Sequence, residues 1–243
     1  MSEAQKTTGE FNVSERDQEI ITALLVKTDE AHYQTDGRIA VITRTALANL
    51  LSDEEIGIVD RVYSIDPTRY GFKAPKLAIE PVPDKLIRVP PRPYTYDTEE
   101  YFTYTQYVPE APYRAFQVMA RAALAGIGRE LLINSSYRSP DYQALTFLDI
   151  LRVNKFDVPT TARRAAIPGY SEHGTPSSLA LDIQNVDGLP SDETPQDFEG
   201  TVEYDWLVAN AHNYGFFMSY PRDNPHGVMF EPWHWRHVQS GNP

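Results

Sequence analysis

Six histidines occur in the chain, at positions 32, 173, 212, 226, 234 and 237, and two of them keep company that suits a metal. His173 lies in a loop ahead of the alternating run Leu179-Ala180-Leu181-Asp182-Ile183. In a strand, that alternation turns Ala180 and Asp182 to one face and Leu181 and Ile183 to the other. A carboxylate flanked by apolar strand residues is costly to bury unless it is paired or bound to a cation. His234 sits in Glu231-Pro232-Trp233-His234-Trp235-Arg236, where two tryptophans around a histidine and a carboxylate suggest a dry, shaped site. Two imidazoles and one carboxylate leave a fourth tetrahedral position open for water, the donor pattern of catalytic rather than structural zinc. Glu231, three residues before His234 on an extended segment, has the chemistry of a base for such a water. Spacing alone leaves open the alternative that these are hydrogen-bonded core residues gathered by chance. His32, His212, His226 and His237 read as structural or surface residues.

A site of this kind needs a frame. The 243 residues suffice for a buried core without external staples, as one large domain or a domain of about 150 residues with a smaller part attached. Charged residues make up 23% and apolar ones 41%, a globular balance. Twenty-two lysines and arginines stand against 34 aspartates and glutamates, a formal net charge of −12. That balance argues against gripping nucleic acid or an anionic membrane through a general basic surface. There is no cysteine, which excludes disulfides, thiolate zinc, iron–sulfur clusters and a thiol nucleophile. No apolar run is long enough to span a bilayer, so no membrane insertion is expected. Met1 to Phe11 is polar and lacks both a basic start and an apolar run, so it is not a secretory signal as it stands.

Local signals place the elements. Ser14 opens a helix with Ile20, Ile21, Leu24 and Leu25 as its apolar stripe. Arg38 to Thr43 reads as a strand and Thr45 to Leu51 as a second helix. Between Pro67 and Pro112, prolines recur among tyrosines, which fits an extended segment lying on another surface or an ordinary linker. An amphipathic helix follows over Tyr113 to Gly126, then a strand at Leu131 to Ile133 ending in Ser135-Ser136-Tyr137-Arg138. Ser139-Pro140-Asp141 opens a helix running to about Asn154. Asn185 to Gly200 is an acidic loop, and Val202 to Asn213 a helix closed by Gly215. Phe216 to Tyr220, Val228 to Phe230 and Trp233 to Val238 read as strands. Helices followed by consecutive short strands point to an α+β fold with an antiparallel sheet.

Several motifs, in order, resemble one family. Ser171-Glu172-His173 followed by Ala180-Leu181-Asp182 resembles the Ser-x-His…Ala-x-Asp motif of the VanY-type D-alanyl-D-alanine carboxypeptidases, zinc metallopeptidases of the hedgehog/D,D-peptidase-like fold. Glu231-Pro232-Trp233-His234 is similar to the Glu-x-x-His element, and Ser136-Tyr137-Arg138-Ser139 with Gln143 to the upstream Ser-x-Tyr-Arg-Ser element. The segment Ala209 to Phe216 also resembles the stretch between the two zinc motifs. The resemblance covers roughly Pro112 to Val238. It implies a central antiparallel sheet with flanking helices, and zinc held by His173, Asp182 and His234. It further implies Glu231 as general base, Arg138 on the substrate carboxylate or developing oxyanion, and Ser171 and Gln143 as substrate contacts.

One departure bears on the pocket: Gly174 to Ser178 is about two residues longer than the usual loop, with Pro176 where the family has glycine. The implied organisation is an N-terminal helical or mixed part over 1–66, a connecting segment over 67–111, and a catalytic domain over 112–243. The implied reaction releases terminal D-alanine from peptidoglycan stem peptides or their precursors. A D-Ala-D-Ala dipeptidase and an L-alanyl-D-glutamate endopeptidase would use the same constellation, and a zinc-containing wall-peptide binder would keep it without turnover. Without a leader such a protein is expected to be soluble and cytoplasmic, or released by a phage-type route, or else to have lost its leader.

Overall fold

A computed structural model describes residues 11–77, 79–189 and 194–238. At its centre lie four antiparallel strands, β5 (Leu131–Ser135), β6 (Ala180–Asn185), β7 (Phe216–Met218) and β8 (His234–His237), in the order β5-β6-β8-β7. β6 is buried along most of its length because it lies between β5 and β8. Helices α4 (Glu110–Ile127) and α8 (Val202–Asn210) cover the sheet, and Phe116, Met119, Leu131, Leu181, Ile183, Leu207 and Trp235 share one core.

A second core is built by the N-terminal part of the chain with the helix that follows β5. The N-terminal helices α1 (Glu15–Gln34), α2 (Arg44–Leu50) and α3 (Asp53–Tyr63) pack with α5 (Pro140–Val153), burying Ile21, Leu24, Leu47 and Val59 against Phe147, Leu148 and Leu151. Ser14 and Ser52 begin α1 and α3 with full capping boxes, closed by Asp17 and Glu55. α3 was not anticipated, although Ser52-Asp53-Glu54-Glu55 carries the capping-box pattern.

Two expected strands are absent. Arg38–Val41 forms a short 3-10 helix entered through Gly37 at φ 73°. Its alternation arises because Ile39 enters the helical core and Val41 the sheet core, so the turn straddles the two. Val228 to Phe230 is not a strand: Asn224 Nδ2 caps the Val228 carbonyl at 2.8 Å, and Arg222 lies 4.3 Å over the Phe230 ring.

The proline- and tyrosine-rich stretch forms two short antiparallel ribbons. β1 (Ile87–Val89) pairs with β4 (Gln106–Val108), and β2 (Pro93–Tyr96) with β3 (Glu99–Phe102). The stretch lies on the rest of the molecule, with Leu77 N–H donating to Gly169 O at 2.7 Å and Thr95 N–H to Val186 O at 2.8 Å. Two further short helices, α6 (Val158–Ala162) and α7 (Pro195–Glu199), lie in stretches read as loop. The first ten residues and part of the acidic loop, 190–193, lie outside the described residues. Among the described residues, no helix is long and apolar enough to cross a membrane.

Candidate metal centre

Strand register builds half of the centre. β6 and β8 pair so that Asp182 stands opposite His234, and opposed residues present their side chains on the same face with Cβ atoms about 5 Å apart. The third donor comes from the 3-10 turn Glu172–Gly174. The exit of β5 grips that turn twice: Arg138 N–H donates to His173 O at 3.0 Å, and His173 Nδ1 lies 2.8 Å from Ser136 O. Donor atoms of His173, Asp182 and His234 consequently lie within 4.8 Å of one another. His173 Nε2 is 3.3 Å from Asp182 Oδ2, and His234 Nδ1 is 3.1 Å from Asp182 Oδ1.

The hydrogen bonds fix which nitrogen each ring offers. A carbonyl only accepts, so His173 Nδ1 carries the proton and Nε2 presents its lone pair to the cluster. His234 Nε2 lies 2.9 Å from Glu172 Oε2. Glu172 is held below the usual carboxylate range: burial alone would raise it, but His234, Ser219 and Arg236 outweigh burial. As an ionised acceptor it receives a hydrogen bond from His234 Nε2–H, and His234 Nδ1 faces Asp182 and Glu231.

Electrostatics agree with a cation at the focus. Burial opposes ionisation of Asp182, yet His173 and His234 hold its carboxyl well below the ordinary value. Burial, then the nearby Arg138 guanidinium, push His173 down, so it is neutral near pH 7. Burial opposes charge on His234 too, but Asp182, Glu172 and Glu231 raise it to about 10. The carboxylates around His234 Nδ1 thus favour a positive charge there. A proton supplies it in the bare protein, and a divalent metal ion held by two imidazoles and a carboxylate would supply it equally well. The residues present fit such an ion.

The remaining candidates surround the cluster. Glu231 Oε2 lies 3.6 Å from His234 Nδ1, and Glu231 N–H donates to Tyr220 O at 3.0 Å, which ties the carboxylate to the end of β7. The Tyr220 ring lies 4.8 Å from the His234 ring, tilted by 36°, and burial beside Glu172 and Glu231 keeps its hydroxyl protonated. Arg138 lines the same cleft, and its Nε is buried without a hydrogen-bond partner. Ser171 is buried on the cleft wall. Gln143 is 2% exposed; its Nε2 donates to Ala166 O at 2.6 Å, while its Oε1 has no partner. The cleft they line has a cavity volume of about 150 Å³.

Sequence reasoning assigned nothing to Glu172 or Arg236, although both neighbour a candidate ligand in the chain. Arg236 bridges Glu172 at 3.5 Å and Ser178 Oγ at 2.9 Å. The lengthened loop is thereby tied down: Pro176–Ser178 makes a 3-10 turn, and Ser177 Oγ reaches Glu80 at 2.6 Å.

Comparison with known proteins agrees with this geometry. The family model described as VanY, D-alanyl-D-alanine carboxypeptidase, matches residues 105–240. The chain belongs to this family. Among known proteins, a D-alanyl-D-alanine carboxypeptidase of Enterococcus faecium is 32% identical over 125 residues, 51% of this chain and 35% of that protein. The putative carboxypeptidase YodJ of Bacillus subtilis is 35% identical over 114 residues, 46% of this chain and 39% of its own length. The chain thus spans little more than a third of either relative. Among solved structures, the LdcB LD-carboxypeptidase, described in terms of peptidoglycan recognition, superposes with a TM-score of 0.52 at 29% identity. It covers 68% of this chain and 73% of its own.

Proposed function

We propose that this VanY-family protein is a zinc-dependent D-alanyl-D-alanine carboxypeptidase that releases the terminal D-alanine of peptidoglycan stem peptides or their precursors. The observation that carries the reading is the convergence of His173 Nε2, Asp182 and His234 Nδ1 beside Glu231, with both imidazole tautomers set by hydrogen bonds. His173, Asp182 and His234 hold the ion. Zinc in that donor set supplies Lewis acidity, polarising a carbonyl and lowering the pKa of a water. Glu231 accepts a proton from the attacking water and delivers it to the departing amine of D-alanine. Arg138, whose Nε lacks a partner, presents a planar fork to the substrate's terminal carboxylate. Ser171 and Gln143 line the wall beside it and contact the peptide. The names of the relatives support the substrate class.

Mass spectrometry of products from a pentapeptide-stem muropeptide tests the proposal. Loss of a single alanine is the expected result. Loss of a dipeptide, or a cut within the stem, would make the protein a dipeptidase or an endopeptidase on the same site. Bound zinc and bound peptide without any product would make it a binding module.

A further inference from the structure

Charge is distributed unevenly around the cleft. Its floor carries Glu172, Asp182 and Glu231. Elsewhere in this acidic chain the arginines are mostly spoken for, as Arg44 is by Asp141, Arg61 by Asp17 and Arg236 by Glu172. The arginines that form no close ion pair among the described residues are Arg38, which lies over the Tyr107 ring, Arg121, Arg138, Arg163, which feels the Asp157 carboxylate only at longer range, and Arg164. The last three all line the cleft. A single terminal carboxylate occupies one guanidinium fork, so two cations remain unused by the reaction described above.

The two are held on a defined scaffold. They follow α6, with Arg164 N–H donating to Thr161 O at 2.9 Å. Gln143 reaches from α5 to Ala166 O at 2.6 Å and anchors the backbone just beyond them. Arg164 Nη1 contacts Asn154 Oδ1 at 3.3 Å, and both guanidinium groups are exposed. Arg138 instead sits against the metal cluster, its own N–H bonded to His173 O. Gln143 lies on the wall with both groups, and its Oε1 is a buried acceptor with no partner. Such an orphan is costly unless a ligand N–H meets it. A peptide running from Arg138 past Gln143 would meet it with an amide and then reach the exposed pair.

We propose that Arg163 and Arg164 form a subsite for a second carboxylate of the substrate, carried on the N-terminal side of the scissile bond, while Arg138 engages the reacting end. The ligand class is a peptide with an acidic group one or two residues ahead of its D-Ala-D-Ala terminus. The inference rests on the proposed carboxypeptidase reading and adds to it the feature that selects among peptides.

Two pairs of synthetic acyl peptides ending in D-Ala-D-Ala test it. Members of a pair differ only as carboxylate and carboxamide, at the residue before D-Ala-D-Ala in one pair and one residue earlier in the other. Affinities are measured by calorimetry on the zinc-loaded Glu231→Gln chain, with and without the Arg163→Gln and Arg164→Gln substitutions, and alanine release is followed on the native protein. One pair should show at least about fivefold tighter binding of the carboxylate, weakening as salt is raised, and the double substitution should bring the ratio toward one. The responding pair identifies which carboxylate is read. Equal affinity in both pairs, or a preference that survives the double substitution, overturns the subsite, as does failure of every peptide to bind. A preference without alanine release leaves the subsite standing and removes the carboxypeptidase reading. Release at equal rates from both members of each pair does the reverse.

Discussion

The sheet and the N-terminal helices serve the same cleft in different ways. The sheet contributes donors through register, with Asp182 opposite His234 across β6 and β8. The helices contribute no donor, yet they hold the turn that carries Arg138. Ser139 N–H donates to Ala40 O at 2.8 Å, and Asp141 receives Arg44 Nη1 at 2.9 Å and the Tyr63 hydroxyl at 3.0 Å. Arg138 is therefore suspended between His173 O on the sheet side and a backbone bond to the helical side. Under the proposed mechanism the comparison teaches that reactivity and placement are divided: one region bears the groups proposed to react, and the other fixes the distance of Arg138, the proposed substrate anchor, from them.

The division breaks first, and hardest, at Glu231. Glu231→Gln keeps shape and removes the base, so kcat should fall by about 10³-fold or more while zinc content and melting temperature stay near native. Near-native turnover would overturn its role as base. Leu24→Ala tests the other region. Leu24 is fully buried in the helical core, and its truncation should cost about 2–5 kcal/mol in urea unfolding. Below the unfolding transition, zinc affinity should stay native, since no donor is touched. A loss of zinc binding in folded Leu24→Ala would erase the distinction between the regions.

A smaller effect sharpens the sheet side. Glu172 bonds His234 at the nitrogen turned away from Asp182, and removing it should weaken zinc binding by about 10–100-fold in a chelator competition. Glu172→Ala with native zinc affinity would show that the strand pair alone orients the ring.

What could be read in advance follows the same line. His173, Asp182 and His234 stood out as candidates because few residue types bind metal, but spacing alone left a chance gathering open. The order of the motifs, through the family resemblance, joined them with Glu231, and the structure places the four side by side. α1 and α5 were legible from their caps at Ser14 and Ser139. Glu172 was not, because a glutamate in a turn looks like any surface acid until a histidine 62 positions away closes on it. The alternation at Arg38–Val41 mimicked a strand because two cores, on opposite sides, drew in alternate residues. No local pattern announces that a turn straddles two cores. Nor did it reveal that the N-terminal helices, outside the residues matched by the family, share a core with α5.

The mildest prediction concerns acid and the helical region. Burial raises the Glu55 carboxyl, but Lys27 at 2.8 Å and the Ser52 backbone N–H and hydroxyl hold it below its ordinary 4.5. Asp17 in the capping box of α1 is likewise raised by burial but held below 3.8 by Arg61 and Ser14. With folded values below unfolded ones, the unfolded chain binds more protons in acid. The stability these groups contribute is then fully present above about pH 4.5 and is lost as pH falls through the folded values. Glu55→Gln should cost on the order of 1 kcal/mol at pH 7, the scale of a partly exposed ion pair. In urea titrations from pH 7 to 3, the gap between native and variant should close on the acid side. A gap that persists at pH 3 would mean that Glu55 supports α3 through its shape and hydrogen bonds rather than its charge, and that the helical region is held without the electrostatic tie between α1 and α3.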